Sequence, residues 1–508
     1  MNRKRRALFS LNDTSDADRF AEELISQGWD IVASSETVEL LSQKGLPVQD
    51  IADFTGVHED YGFPPTMHAR VEHALTGKSG SSIDLVYVIP YPLAAGNDVG
   101  GRTLLALAVK GGRIPVMSVE DMRLTVSAIR ETGEVPDLMR MDLVNKTCYE
   151  IANHYSSLIS DRGKYDVISG SFAYSLMNGE NPYQVPASVF EVSAGDPLAL
   201  TNFKQLSGEA PCFTNIADAD CILNTLCLAA EAFRLNSGSL PYLCVAAKHG
   251  NACGMGVSNV SPEDALDKAL FGNPRSIWGG EIITNFPVDG KLAEAILKSR
   301  RRENLLGSSY WMLDIVMAPS FSMDAISIMG NRKERKLLAN EVLVEPYIDK
   351  SVFIYRSVRG GFLRQPPANY ILNVKECAPE GKVFSKNEIS SLIIAWAVAF
   401  SSNHGGNEVV LAKDAMLLAS GGGPSTVEAA RVAVIRAKEC GHEIEGAVFA
   451  ADAFFPFPDA PAMLCDAGVT MGCVPAGGKR EIDIQNFFHE KNVPVVFLQQ
   501  NIRGFCRH

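Results

Sequence analysis

The sequence predicts an α/β protein: a doubly wound parallel sheet at the N-terminus, then a longer mixed α/β region. Three observations carry this. Over residues 6–120 short apolar runs alternate with amphipathic helical patterns, the signature of a parallel sheet covered by helices on both faces. A polar break, Ser160-Asp161-Arg162-Gly163-Lys164, follows a long helical stretch. Beyond it apolar strand-like runs recur, with helical patterns between them.

Taken in order, Arg6 to Leu11 reads as a strand and Ala17 to Gln27 as an amphipathic helix that Gly28 can end. Asp30 to Ala33 is the next strand, followed by a helix over Thr37 to Lys44 with Gly45 at its end. Strands at Leu85 to Ile89 and Ile114 to Met117 flank a helix over Thr103 to Lys110. In such folds ligands sit beyond the carboxyl ends of the strands, so the loops Asn12-Asp13-Thr14-Ser15 and Ser34-Ser35-Glu36-Thr37 are the places to look. Leu124 to Leu158 is mostly helical, and the polar break after it sets the domain boundary, giving domains 1–165 and 166–508. Later strands include Tyr242 to Ala246, Glu408 to Ala412, Ala447 to Ala450 and Val495 to Leu498.

With 508 residues, about two to four domains are expected. A hydrophobic fraction of 46% against 21% charged residues supplies ample core and argues against disorder. The net charge of −12 lacks the broad basic face of a nucleic-acid or anionic-membrane binder. Two basic clusters, Arg3-Lys4-Arg5-Arg6 and Arg300-Arg301-Arg302, read as a frayed terminus and a solvated helix face. The 11 cysteines are scattered, with no Cys-x-x-Cys pair, which points to reduced core thiols and a cytoplasmic chain. No signal peptide is expected, because Asn12-Asp13 breaks the first apolar stretch. The most apolar helix-like run, Leu392 to Phe400, is too short to cross a bilayer. His58, His68 and His73 lack metal-ligand spacing, so no catalytic metal is expected.

Three strings hold candidate chemistry. Lys248-His249-Gly250-Asn251-Ala252-Cys253-Gly254 ends a strand in a Lys-His pair. An imidazole beside a cation suits acyl or formyl transfer to an amine, with the cation facing a developing oxyanion; an ordinary exposed pair is the plainer alternative. Gly421-Gly422-Gly423-Pro424-Ser425-Thr426 leads into a helix over Val427 to Lys438. It is either an anion-binding helix start or a turn and cap, and neither Walker nor dinucleotide spacing is met. Ala453 to Asp459 is an aromatic-proline turn, either a buried corner or a stacking wall for a flat heterocycle.

Together and in order these strings resemble one family over nearly the whole chain, the bifunctional purine-biosynthesis family of AICAR transformylase/IMP cyclohydrolases. The resemblance runs through Ala7-Leu8-Phe9-Ser10, Asn97-Asp98-Val99-Gly100-Gly101, Gly179-Glu180-Asn181-Pro182, Lys248-His249, Ser276-Ile277-Trp278-Gly279-Gly280, Leu411-Ala412-Lys413-Asp414, Asp452 to Phe457, and Arg503-Gly504-Phe505 before the final His508. It implies a methylglyoxal-synthase-like cyclohydrolase domain, then a transformylase region of two cytidine-deaminase-like subdomains. It also implies an intertwined homodimer with the transformylase site at the interface, and 10-formyltetrahydrofolate as formyl donor.

By resemblance Lys248 and His249 match the family's catalytic pair. Asn407 matches its catalytic asparagine after a two-residue insertion at His404-Gly405. His249 would take the proton of the attacking amine, while Lys248 and Asn407 would stabilise the oxyanion. Asn181, Gln184, Phe454, Phe455, Asp459 and Arg503 match substrate- or folate-binding positions, and Tyr91, Asp98 and Lys110 the remaining ring-closure residues.

The departures are chemical. The family's Ser-Asp-Lys-Thr and Gly-Gly-Thr phosphate loops are Asn12-Asp13-Thr14-Ser15 and Ser35-Glu36-Thr37 here. A lysine is lost and a carboxylate gained where a dianion would sit, a repulsive arrangement. The family's Arg-Val-Lys is Phe63-Pro64-Pro65, ahead of Thr66-Met67-His68, so the cyclohydrolase is expected to be lost. Met177 and Thr426 replace two arginines of the AICAR shell, and Tyr183 a histidine; a methionine cannot supply an arginine–phosphate fork. The expected function is folate-dependent formyl transfer to the amine of AICAR or a related acceptor. The alternatives are a paralogue formylating a different amine in specialised metabolism, a formyl-donor hydrolase, and a non-catalytic scaffold.

Overall fold

The computed structural model describes residues 3–59, 62, 64–77, 82–192, 195–377 and 383–507, without the side chains of Ser35 and Cys377. Phe63 and His508, both singled out above, lie outside the described residues. The chain divides into two compact units, residues 1–171 and 172–508.

The first unit holds five strands, β1 (Arg6–Leu11), β2 (Asp30–Ala33), β3 (Val48–Asp50), β4 (Leu85–Ile89) and β5 (Ile114–Val116). They form one parallel sheet in the order β3-β2-β1-β4-β5. The near-continuous apolar run of β1 is explained by burial on both faces. Ala7, Phe9 and Leu11 join the cluster under the helices Ala17–Ser26 and Val119–Thr132. Leu8 points the other way, into the cluster that holds Val71 and Leu105. The chain fills one side of β1 first and then crosses to β4, which leaves the topological switch point, and hence a crevice, at the carboxyl end of β1. The alternation of runs thus predicted this sheet correctly.

Several element boundaries differ from the sequence reading, and two of the differences have a plain local cause. The helix expected over Thr103 to Lys110 starts earlier, at Val99, because Asp98 caps it by accepting from Gly101 N at 2.7 Å. The stretch Leu124 to Leu158 is two helices, Val119–Thr132 and Asp137–Ser157, parted where Gly133 turns left-handed at φ 79° and Pro136 leads into the next helix.

The second unit contains two short ribbons, β6 (Ser171–Leu176) with β7 (Ala187–Glu191) and, later in the chain, β14 (Ile354–Val358) with β15 (Gly361–Gln365). Between and after these lie β8 (Lys204–Ser207), β9 (Tyr242–Lys248), β10 (Asn251–Ser258), β11 (Gly280–Thr284), β12 (Leu313–Ala318), β13 (Lys336–Ala339), β16 (Asn407–Lys413), β17 (Met416–Gly423), β18 (Val448–Ala451), β19 (Met471–Pro475) and β20 (Val495–Leu498). They make one 11-stranded mixed sheet, ordered β20-β19-β18-β16-β17-β10-β9-β11-β12-β13-β8.

The sheet is built from two similar halves. Each runs helix, antiparallel hairpin, helix, then parallel strands with intervening helices: Phe213–Ser237 with β9 and β10 in one, Lys386–Ala399 with β16 and β17 in the other. The halves meet edge to edge through β10 and β17, with Gly256 opposite Met416. In each half the second hairpin strand lies so close to a helix that only glycine fits. A Cβ on Gly254 would strike the backbone of Ala269, and one on Gly421 the backbone of Ala429 and Ala433. The glycine string at 421–423 therefore ends a strand, and Ser425 caps the helix Thr426–Glu439 by accepting from Glu428 N at 3.3 Å. Leu392 to Ala399 is fully buried, which explains a helix apolar on every side. Among the described residues no helix is long and apolar enough to cross a membrane.

Candidate active site

In the second unit Lys248 closes β9 and pairs with Asn251, the first residue of β10. The two residues between them, His249 and Gly250, are both left-handed, at φ 52° and 65°, the geometry of a tight two-residue hairpin. The turn exposes His249 and half-buries Lys248. Both line a cavity between the two halves, together with Cys253 and Ser276 from their own half and His404, Ser420 and Arg436 from the other. Burial pushes the Cys253 thiol far up, so it offers no thiolate nucleophile.

The Lys248 ammonium donates to the Gly279 carbonyl. Behind it sits Glu281, 2% exposed, whose β11 position is opposite Ala247 of β9. Burial, reinforced by the charge of Asp218, pushes the Glu281 carboxyl up to about 9, while Lys248 pulls it down. Burial also raises the pKa of Asp218, on the helix Phe213–Ser237. A cation, an imidazole and two carboxyls whose pKa values burial raises are thereby gathered at one strand end.

The chain terminus braces the same turn. Arg507 donates to Gly250 O at 3.2 Å, Asn251 Oδ1 at 3.0 Å and Ser401 O at 2.6 Å. Asn251 Oδ1 also accepts from Asn403 N at 2.8 Å. Across the cavity, the fully buried Glu408 accepts from the backbone N–H of His404 and, at 2.9 Å, from its ring Nδ1.

The residues singled out in the sequence fall in several places. Asn407 opens β16 and its amide donates to Gly423 O at 3.4 Å; it does not line the cavity that holds Lys248 and His249. Phe454 lies under the Arg503 guanidinium at 4.6 Å, and Arg503 also donates to Ala476 O at 2.9 Å. Phe455 is only 2% exposed and packs near Phe449 and Phe488, and with Phe454 it lines a small cavity that Gly477 also borders. Asp459 is the exposed first residue of the helix Asp459–Asp466. Asn181 and Gln184 bond each other within one exposed turn, Gln184 Oε1 accepting from Asn181 N at 2.7 Å and Nδ2 at 3.0 Å. Asp218, Glu281, His404, Glu408 and Arg507 were not read from the sequence. For His404 and Glu408 a signal was available: a histidine and a glutamate four residues apart beside an insertion.

In the first unit Asp98 Oδ2 accepts from Tyr91 N at 3.3 Å, and the Tyr91 hydroxyl donates to Asn97 O at 3.3 Å. Lys110 lies at the far end of the helix that Asp98 caps, about 18 Å along its axis, and pairs with Glu72 at 3.5 Å. The structure therefore joins Tyr91 to Asp98 and leaves Lys110 elsewhere. At the carboxyl end of β1, Asp13 accepts from Ser15 N at 2.9 Å and Ser15 Oγ at 2.6 Å, which lowers its pKa. Pro64 packs against Gly100 so tightly that a Cβ there would clash.

A family model described as the AICARFT/IMPCHase bienzyme matches residues 114–436. The chain belongs to the AICARFT/IMPCHase bienzyme family. A model of the MGS-like domain matches residues 16–117, which gives the parallel N-terminal sheet its family. Curated relatives of this bienzyme-family chain include two bifunctional purine biosynthesis proteins PurH. That of Anoxybacillus flavithermus is 30% identical over 540 aligned positions, covering 97% of this chain and 98% of its own. That of Polynucleobacter necessarius is 29% identical over 541 positions, with the same coverage of 97% and 98%. A solved structure titled "Crystal structure of ForH" matches 30% of this chain and 96% of its own at 24% identity, with a TM-score of 0.28. Among the described residues no group of three or more His, Cys, Asp or Glu side chains is placed to hold a metal.

Proposed function

We propose that the second unit is a 10-formyltetrahydrofolate-dependent formyltransferase acting on the amine of AICAR or a related acceptor, without a catalytic metal. The observation that carries this reading is the Lys248-His249 turn on the wall of a cavity shared by the two halves. His249 is exposed there and would accept the proton of the attacking amine. The Lys248 ammonium is a preorganised donor for the oxygen that becomes negative as the carbonyl is attacked. Asn407, although outside that cavity, would be a further donor on the family resemblance alone, and on the same resemblance Asn181, Gln184, Phe454, Asp459 and Arg503 would form the outer shell of substrate and folate binding. Incubating the protein with 10-formyltetrahydrofolate and AICAR and following tetrahydrofolate tests it directly.

A second reading, a different acceptor amine, is favoured by two side chains. Met177 is exposed and Thr426 buried, and neither can grip a phosphate as an arginine does. Turnover with AICAR at the rate of ordinary family members would exclude it. Absence of folate binding in calorimetry would favour a scaffold, and formate release without an amine a hydrolase.

The first unit is, in this reading, a vestigial cyclohydrolase, Tyr91, Asp98 and Lys110 being its remnants. Asp13 brings negative charge to the loop after β1 and Glu36 to the first turn of the helix Ser35–Gln43 after β2, and Pro64 fills space beside the helix start at Gly100. We place the domain boundary near residue 165 and the protein in the cytoplasm. A homodimer is supported by the apolar side chains that the two ribbons expose, among them Phe172, Phe190, Ile354 and Leu363, since contiguous exposed apolar surface marks contact sites.

A further inference from the structure

We propose that His404, held by Glu408, is a second proton-carrying residue of the Lys248–His249 cavity, serving the leaving nitrogen of the formyl donor while His249 serves the attacking amine. This rests on the formyl-transfer reading above. His404 and His249 come from opposite halves and line the same cavity. Glu408 has no exposed side-chain surface, and both its oxygens are turned to His404: Oε1 accepts the backbone N–H and Oε2 the ring Nδ1–H at 2.9 Å. A carboxylate that fixes one ring nitrogen leaves the other, Nε2, to exchange a proton with a ligand.

The fold makes room for this pair. A Cβ on Gly422, opposite Glu408 in the hairpin, would strike both His404 Cβ and Glu408 Oε1. Burying a glutamate this completely is unfavourable without a fixed partner, and that partner is a cavity-lining imidazole. The other charged or titratable groups around the pair are Asp452, whose Oδ1 accepts from Glu408 N at 2.9 Å, Cys506, on which the charges of Glu408 and Asp452 act, and, lining the cavity, Lys248, His249, Cys253 and Arg436.

The chemistry has work for two carriers. Formyl transfer makes one bond between the amine nitrogen and the formyl carbon and breaks the bond from that carbon to the donor nitrogen. One proton leaves the amine and one must reach the departing nitrogen. With His249 taking the first and His404 Nε2 giving the second, neither ring has to swing between sites, and the two rings reset through solvent.

The test uses His404→Asn, His404→Gln and Glu408→Gln in the full chain, with 10-formyltetrahydrofolate and AICAR. We expect kcat to fall at least about 10²-fold in both His404 variants, with KM for the donor changed by less than about threefold. Free imidazole should restore part of the rate in His404→Asn, and Glu408→Gln should fall less. Wild-type kcat in both His404 variants would overturn the proposal. If the wild type transfers no formyl group, the formyl-transfer reading fails, and imidazole nitrogen NMR with tetrahydrofolate as probe judges His404 separately. A ligand-dependent shift of a resonance missing from His404→Gln supports a ligand-facing ring, and no shift overturns it.

Discussion

The charge of Asp218 acts on the buried Glu281 carboxyl, which stands on β11 opposite Ala247, next to Lys248 at the strand end. The pair sits where burial favours the protonated form, and the consequence is a pH dependence of stability. The Glu281 carboxyl is raised from 4.5 to about 9 on folding. The folded chain therefore holds a proton that the unfolded chain has already released. The corresponding stabilisation is complete below pH 4.5 and is lost as pH rises toward about 9. Melting temperatures of the wild type should fall across this window, and Glu281→Gln should flatten the slope. Parallel slopes for the two proteins would refute the burial account of Glu281.

Removing the Arg507 brace should loosen the His249-Gly250 turn more than it destabilises the fold. Arg507 is exposed, so Arg507→Ala is expected to cost only about 1 kcal/mol of stability. Because its hydrogen bonds hold Gly250 and Asn251, the same variant should lower kcat by about 10-fold. A full-rate variant would show that the His249 turn holds its shape without the tail.

Gly421→Ala tests the close helix approach in the second half. The added methyl meets backbone atoms of Ala429 and Ala433 rather than a movable side chain. A loss of about 1–3 kcal/mol is expected, read as a lower midpoint in urea. An unchanged midpoint would mean that the helix Thr426–Glu439 can slide away at little cost.

Much of the fold was legible because burial wrote it into the pattern. The β1 run is apolar at both odd and even positions because helices cover both faces, and the alternation around it predicted a parallel sheet. The hairpins at the heart of the second unit were not read, since their turns, His249-Gly250 and Asp414-Ala415, lack the Asn-Gly or Asp-Gly signature. The Lys248–His249 pair was legible as a string ending a strand. Glu281 and Asp218 were not, because a carboxyl that keeps its proton through burial looks like any surface acid until the sheet brings β11 beside β9. Phe455 was ambiguous for the same reason: an aromatic in a proline turn reads alike whether it faces a ligand or the rings of Phe449 and Phe488.

The acidic loops of the first unit predict that ring closure is gone. Given the formylated product of AICAR, the protein should form no IMP above the buffer background. Phosphate binding to these loops should be undetectable by calorimetry, since the Asp13 carboxylate already occupies the Ser15 donors. Measurable ring closure would show that the Tyr91–Asp98 cluster still suffices.

Tetrahydrofolate release from 10-formyltetrahydrofolate, measured with and without an amine acceptor in the wild type and in Lys248→Ala, tests the central claim most directly. Acceptor-dependent release by the wild type is predicted, together with a fall of about 10²–10³-fold in Lys248→Ala. No release by the wild type with AICAR or any other amine, or an undiminished rate in Lys248→Ala, would contradict it.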